Sequence, residues 1–249
     1  MANSVQLTVI NSLTSHTSKF FIMLKYFTIN TSAELLCFVV ALICLSKDKS
    51  IAWRIMIFFL LVTCIAELTG IYVKRLYLSD TVHIHPNAWV YNIFIFAQVT
   101  FFSYFFQFFL KKYNYSKPII FGGLACLIAL HIYGIVSQTI FIYDELTNTV
   151  LSVLLVLYSL YYFYCLIKDD KHIQIAKSAG FWWVTGILFF YFGTTAYNIF
   201  YDQLSSIVNR TGQNSGALKY LHNVFNIILY SCWSYSIICR KWELKRPAN

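Results

Sequence analysis

Two carboxylates are the most informative chemical groups in the sequence, because both fall within long apolar stretches. Of the ten acidic residues, only Glu34 and Glu67 lie inside such stretches. A charged group at the centre of a membrane-spanning helix costs about 2.5–3.5 kcal/mol on insertion scales, so carboxylates in membranes usually face a cavity or a partner. Each glutamate lies about six residues from one end of its stretch, which is roughly 9 Å of helix. We therefore expect both to be functional at a similar depth.

Other polar side chains fall at a comparable depth and suggest a shared pocket. His222 and Asn226 are four residues apart and therefore lie on one helix face. Glu67 has Cys64 and Gly70 on its own face, which leaves room for a neighbouring side chain. The predicted ligand-binding set is Glu34, Glu67, Asn92, Asn198, His222 and Asn226. The alternative is that these groups hydrogen-bond to one another and only hold the helices in register.

The elements that position these residues are seven apolar stretches. They run over 28–46, 55–73, 88–110, 118–138, 146–167, 180–201 and 220–239. A helix needs about 20 residues to cross the hydrocarbon core, so each stretch is long enough. We predict an all-α, polytopic integral membrane protein whose residues 1–249 form a single domain with seven transmembrane helices in one bundle. Residues 1–27 form a polar or interfacial segment, and 240–249 a short basic tail.

The distribution of basic residues predicts the orientation of the chain. Thirteen of the 19 lysines and arginines follow the odd-numbered stretches, as at Lys47, Lys111, Lys168 and Arg240. Cytoplasmic loops are enriched in basic residues, so the N-terminus is predicted outside and the C-terminus in the cytoplasm. The net charge of +9 is thus explained by topology and does not require a nucleic acid as a partner. A multi-pass protein of a bacterial inner membrane is the expected localisation.

The two sides of the fourth stretch carry different residues: small ones on one side and a histidine on the other. Gly122, Ala125, Cys126 and Ala129 form a ridge on one side, and small residues usually mark contacts between helices in membranes. His131 lies on the side opposite the ridge, where it could face lipid, another helix or a vestibule. In the sixth stretch, Gly186 and Gly193 share a face and predict a second close contact.

The sequence lacks the residues that metal, retinal and cofactor sites require. The seven cysteines show no CxxC spacing, and only His131 and His222 are intramembrane histidines, so no metal site is predicted. A retinal pigment needs a lysine deep in the seventh stretch, which has none. No cofactor is predicted either, because no nucleotide-binding or other cofactor motif occurs.

Three functions remain open, and whether the protein is an enzyme is undecided from the sequence. The first is a sensor or receptor-like module with an outward-facing pocket for a small molecule or ion, acting through a separate cytoplasmic protein. The second is an intramembrane enzyme for a lipid or isoprenoid substrate, with Glu67 and His222 as an acid–base pair. The third is a small transporter, which would need a polar path across the membrane.

Overall fold

The described part of the chain is helical. The structure is a computed structural model that describes residues 28–77, 86–111, 116–169, 175–211 and 216–245, without the side chains of 116, 198 and 201–219. The helices are α1 (Ile29–Leu45), α2 (Ile51–Leu76), α3 (Ala88–Leu110), α4 (Ser116–Gln138), α5 (Glu145–Lys168), α6 (Ala179–Thr211) and α7 (Gly216–Lys245). A short 3₁₀ helix, Ile175–Lys177, precedes α6. The predicted all-α class is therefore confirmed for these residues.

Length and hydropathy identify membrane-spanning helices among them. Four are long and apolar enough to cross a bilayer, namely α2, α3, α5 and residues Lys117–Gln138 of α4. Helix α1 is apolar but has only 17 residues. The architecture is that of a helical membrane protein.

Five of the seven helices extend beyond the apolar stretches that predicted them, whereas α3 has the predicted bounds and α1 is one residue shorter at each end. Helix α2 begins at Ile51 and ends at Leu76, whereas the stretch was 55–73. Helix α6 continues to Thr211 and α7 covers Gly216–Lys245, so much of the predicted loop 202–219 and of the tail 240–249 is helical. Backbone hydrogen bonds do not require apolar side chains, so a helix can continue past the hydrocarbon boundary. The 1–27 segment lies outside the described residues.

Neighbouring helices in the sequence pack side by side and the bundle closes on itself. Helix α7 packs against α6 and also against α1, which in turn packs against α2. Helix α3 contacts α2, α4 and α5, and α4 packs on α3 and α5. Consecutive helices are antiparallel, as the contacts Glu67–Tyr91, His131–Asp144 and Ala179–Glu243 show, so α1, α3, α5 and α7 begin at one end of the bundle. We call this the Ile29 end, and the opposite one the Lys245 end.

Aromatic side chains from α3 fill the centre of the bundle. Phe102 and Phe105 are buried together with Trp183 of α6 and Trp233 of α7. The rings of the two tryptophans are parallel with centroids 6.0 Å apart, and Phe105 stacks on Trp183 at 4.8 Å. Because lipid is as apolar as these side chains, packing contacts rather than the hydrophobic effect hold the helices together. Aromatic pairs of this kind contribute about 0.5–1.5 kcal/mol each beyond burial.

The glycines of α6 allow the close approach that the sequence predicted. A Cβ atom on Gly186 would lie 2.9 Å from the Cβ of Cys232, and one on Gly193 would overlap the ring of Phe225. Both neighbours belong to α7. The prediction of a tight contact on this face is confirmed.

The small-residue ridge of α4 was predicted to form a helix contact, and this prediction is wrong. Gly122, Ala125, Cys126 and Ala129 are exposed, and a Cβ atom on Gly122 would meet no other atom within 4 Å. The side of α4 that faces the bundle instead carries His131, which is 1% exposed. A histidine needs hydrogen-bond partners that lipid does not offer, so its requirement sets the rotation of the helix.

Candidate functional site

A cavity of about 250 Å³ lies between the helices towards the Ile29 end. Among the described residues, six of the seven helices contribute to its wall, and α4 contributes none. The polar and titratable side chains that line it are Glu34, Thr63, Glu67, Tyr91, Gln98, Tyr143, Asn148, Ser152, Tyr191, Thr194, His222, Asn226 and Tyr230. Four of the six residues selected from the sequence, Glu34, Glu67, His222 and Asn226, therefore line one cavity.

Glu34 is a buried carboxylate with one oxygen atom that has no hydrogen-bond partner among the described residues. It lies in α1 and its side chain is 5% exposed. The Tyr230 hydroxyl of α7 interacts with its carboxyl group. Its Oε2 atom, however, has no hydrogen-bond partner among the described residues. Buried polar atoms are nearly always hydrogen-bonded in native proteins, so an unpartnered carboxylate oxygen facing a cavity calls for an explanation.

Glu67 lies in α2 and accepts a hydrogen bond from Tyr91, which is not among the residues selected from the sequence. The Tyr91 hydroxyl of α3 donates to its Oε2 at 3.1 Å. A Cβ atom on Gly70 would lie 2.6 Å from that hydroxyl oxygen, so glycine leaves the space in which Tyr91 reaches Glu67. Gly70 thus provides the room predicted for a neighbour. Tyr91 was overlooked because tyrosines near the ends of spans are usually interfacial anchors.

His222 and Asn226 occupy successive turns of α7 on the cavity wall. Asn226 is buried, whereas His222 is exposed and lies at the edge of the cavity. The His222 ring packs edge-on against Phe190 of α6, with centroids 6.2 Å apart. Within the described part of the chain, no hydrogen bond joins His222 to Glu67. The pair therefore shares a cavity without being in direct contact.

Asn92, the fifth selected residue, does not line the cavity. Its Nδ2 atom donates to the carbonyl oxygens of Ile140 and Ile142, each at 2.7 Å. Its Oδ1 atom accepts from the Asp144 backbone N–H at 3.1 Å. The side chain thus binds the backbone between α4 and α5. The side chain of the sixth residue, Asn198, lies outside the described part of the chain.

The environment of Asn92 is a second polar cluster, which we call the histidine node (Asn92, His131, Asp144 and Thr147). The two ring nitrogens of His131 lie 2.8 Å from Asp144 Oδ2 and 2.9 Å from the Asn92 carbonyl oxygen. Thr147 donates its backbone N–H to Asp144 Oδ1 and its hydroxyl to Oδ2. Burial opposes ionisation of Asp144, but the bonds from Thr147 and His131 outweigh it and hold the pKa below its usual value.

At the Lys245 end, a third polar cluster joins the segment between α1 and α2 to α6 and α7. Arg240 Nε donates to Asp48 Oδ2 at 2.8 Å, and the Ser50 N–H donates to Oδ1 at 2.7 Å. Glu243 accepts from the Ala179 N–H at 2.9 Å and pairs with Arg240 at 3.5 Å. Burial opposes ionisation of Asp48, yet its bonds to Arg240 and Ser50 lower the pKa below the ordinary 3.8.

The cavity combines negative charge with an aromatic wall. Among the described residues that line it, none is lysine or arginine, and His222 is the only basic side chain. Within the same part of the chain, no three histidine, cysteine or acidic side chains are grouped to hold a metal ion. Comparisons with protein-family models, curated proteins and solved structures find no match to this chain. The interpretation of the site therefore rests on its own geometry, which is that of a small acidic cavity with aromatic walls.

Proposed function

We propose that the protein is a sensor or receptor-like module with seven transmembrane helices, whose cavity binds a small molecule or ion from outside the membrane. The positive-inside rule supports this orientation, because the basic residues concentrate in the segments of the Lys245 end. The cavity lies at the other end, which this rule places outside. A bacterial inner membrane is the location we propose.

The observation that carries the proposal is that one cavity is built from six helices. A ligand there contacts α1, α2, α3, α5, α6 and α7 together. Any difference in its affinity for two arrangements of these helices shifts the population between them. The described connections are too short to form a separate effector domain. A separate cytoplasmic protein is therefore the proposed recipient of the signal.

Catalysis and transport are less well supported by the same geometry. An acid–base pair must come within about 2.6–3.2 Å of the atom it serves, directly or through water. Glu67 and His222 line one cavity but share no hydrogen bond in the described structure, so an intramembrane enzyme remains the second candidate. Transport is third, because buried Phe105, Phe106 and Trp183 fill the bundle centre where a polar path would have to run.

The test begins with ligand screening against a variant whose cavity is filled. Thr63 is buried on the cavity wall, so Thr63→Trp occupies the space. Leu61 lies on the same helix but is 39% exposed, so Leu61→Trp is the matched control. Metabolites would be screened by the rise in the melting temperature of purified protein. We expect compounds that stabilise the wild type and Leu61→Trp but not Thr63→Trp.

Hydrogen–deuterium exchange then distinguishes a receptor from the other two classes. A bound receptor ligand should change the exchange of residues 46–50 and 175–178, which surround the ion pairs of the Lys245 end. Mass spectrometry should recover the ligand unchanged, and proteoliposomes should not accumulate it. A ligand that is converted would establish the enzyme, and one that is taken up would establish the transporter. A failure of every screened compound to distinguish Thr63→Trp from the control would contradict a binding role.

Reporter fusions test the proposed topology independently. Fusions after residues 50, 114, 173 and 249 should report a cytoplasmic location, and those after 80, 142 and 210 an outer one. A C-terminal reporter outside the membrane would reverse the assignment and make the cavity face the cytoplasm.

A further inference from the structure

We infer that the cavity binds a small organic cation, an amine in its protonated form, with Glu34 as its counter-ion. The inference rests on the proposed binding function and specifies the chemistry of the ligand. Its basis is the combination of an unpartnered buried carboxylate oxygen, a second carboxylate nearby and an aromatic wall.

Glu34 supplies the position at which a ligand must donate. Its side chain is 5% exposed, and its Oε2 atom lacks a hydrogen-bond partner among the described residues while Glu34 lines the cavity. A buried carboxylate is stable only when it is paired or hydrogen-bonded. An ammonium group in the cavity provides a charge-assisted N–H donor, which is the stronger class of hydrogen bond.

Glu67 adds to the negative field without competing for the same role. The Tyr91 hydroxyl already donates to its carboxylate. The two glutamates are close enough to interact electrostatically. Two carboxylates and no lysine or arginine among the described lining residues favour a positively charged ligand and disfavour an anion.

The aromatic wall distinguishes an organic cation from a metal ion. Phe59, Phe102, Tyr191, Tyr230 and Trp233 all line the cavity. Aromatic rings attract ammonium groups through their quadrupole, and tryptophan does so most strongly. Hard metal ions instead require about six or more oxygen ligands at short range. No grouping of three such acidic or histidine side chains occurs in the described chain.

The volume of the cavity limits the size of the ligand. About 250 Å³ lies below the roughly 300–1,000 Å³ of pockets for drug-sized molecules. At about 30 Å³ per water molecule, the same space corresponds to roughly eight waters. The ligand is therefore a compact amine with a small apolar body.

The experiment measures the binding of defined ammonium compounds to the purified full chain. The panel comprises methylammonium, tetramethylammonium, cyclohexylammonium and benzylammonium chlorides, with benzyl alcohol and cyclohexanol as neutral counterparts and NaCl and KCl at equal ionic strength. Melting temperature and isothermal titration calorimetry are the readouts. We expect at least one primary ammonium compound to raise the melting temperature, and its neutral counterpart to have no effect.

Two variants assign the effect to Glu34. Glu34→Gln retains the shape of the side chain but removes its charge, and we expect the ammonium affinity to fall by at least about tenfold. Glu145→Gln removes an exposed carboxylate from the start of α5, outside this cavity, and should bind like the wild type. The melting of each variant without ligand checks that it is folded. If Glu34→Gln does not fold, Glu67→Gln takes its place as the variant that removes a carboxylate from the cavity.

Each contrary result has a defined meaning. Equal binding of the neutral counterparts would overturn the cationic ligand, and equal stabilisation by NaCl or KCl would replace the organic cation by a metal ion. An affinity unchanged in Glu34→Gln would overturn its role as counter-ion. Absence of binding by the whole panel would overturn the inference. The receptor proposal would survive that result if the Thr63→Trp screen still identified a ligand.

Discussion

The cavity and the histidine node contain the same kinds of side chain but differ in how these side chains are hydrogen-bonded. In the node, the Asp144 carboxylate, the His131 ring and the Asn92 amide all have their hydrogen bonds directed at protein groups. In the cavity, Glu34 has an oxygen without a partner and Glu67 accepts from Tyr91 next to open space. The two clusters therefore differ in how completely groups of the protein satisfy their hydrogen bonds. We propose that this difference separates structural polar residues from ligand-binding ones.

The largest expected difference comes from replacing an amide in each region by leucine. Asn92→Leu leaves two carbonyl groups and one N–H group of the 140–144 segment without partners, so we expect a loss of about 3–5 kcal/mol in the free energy of unfolding. Gln98 lies on the cavity wall, and Gln98→Leu removes no hydrogen bond to another described residue. This variant should change the free energy of unfolding by less than about 1 kcal/mol. Unfolding of the purified proteins in one detergent measures both. Similar losses would abolish the distinction between the two regions.

A smaller contrast is expected when a carboxylate becomes an amide. Asp144→Asn weakens the bonds from His131 and Thr147 and should cost about 2–3 kcal/mol. Glu34→Gln replaces a buried carboxyl group whose Oε2 atom has no partner among the described residues, so the free energy of unfolding should stay within about 1 kcal/mol of the wild-type value or increase. The same unfolding measurement applies. A destabilised Glu34→Gln would return Glu34 to a structural role.

Two glycine replacements compare the surroundings of Glu67 with the exposed face of α4 at the level of a single methyl group. Gly70→Ala places a Cβ atom 2.6 Å from the Tyr91 hydroxyl oxygen, so Tyr91 must move away from Glu67 at a cost of about 1–3 kcal/mol. Gly122→Ala meets no neighbouring atom within 4 Å and should gain up to about 1 kcal/mol from helix propensity. The melting temperature should fall in Gly70→Ala and rise in Gly122→Ala relative to the wild type. A neutral Gly70→Ala would mean that Tyr91 is not fixed by this contact.

The smallest expected effect concerns Asp48, which lies far from both regions. Its pKa in the folded protein is below the ordinary 3.8, because the bonds from Arg240 and Ser50 outweigh the effect of burial. A lowered carboxylate pKa stabilises the fold above pH 3.8, and this stabilisation is lost as the pH falls through the folded-state pKa. The stability difference between wild type and Asp48→Asn should therefore be constant at pH 5–6 and shrink below 3.8. A difference independent of pH would show that the ion pair contributes nothing.

Hydropathy predicted where the helices lie but not how each is rotated. The apolar stretches located all seven described helices. The ends of α2, α6 and α7 were misjudged because hydrogen-bonded backbone continues through polar residues. Adjacent residues on a helix point about 100° apart. Tyr91 therefore reaches Glu67 while Asn92 turns to the segment between α4 and α5.

The depth of a polar residue was a better guide to the site than the shape of the helix surface. Of the residues selected by depth and helix face, Glu34, Glu67, His222 and Asn226 line the cavity, whereas Asn92 binds the backbone between α4 and α5. The ridge at Gly122 was selected by residue size and is exposed. Small residues permit a close approach but do not require one, whereas His131 required partners and therefore turned inwards. The rotation of each helix about its axis depends on contacts between residues far apart in the chain. These contacts cannot be inferred from a single sequence.

The three hydrogen bonds of Asn92 also bear on how distant relatives of this chain would be recognised. Apolar core positions accept many exchanges of similar volume, so their identity fades as lineages diverge. An amide that donates twice and accepts once at this position has no isosteric substitute. We therefore expect relatives to retain an asparagine at the start of the third helix, a histidine about 39 residues later and an aspartate about 13 residues after that. That spacing should outlast the surrounding sequence.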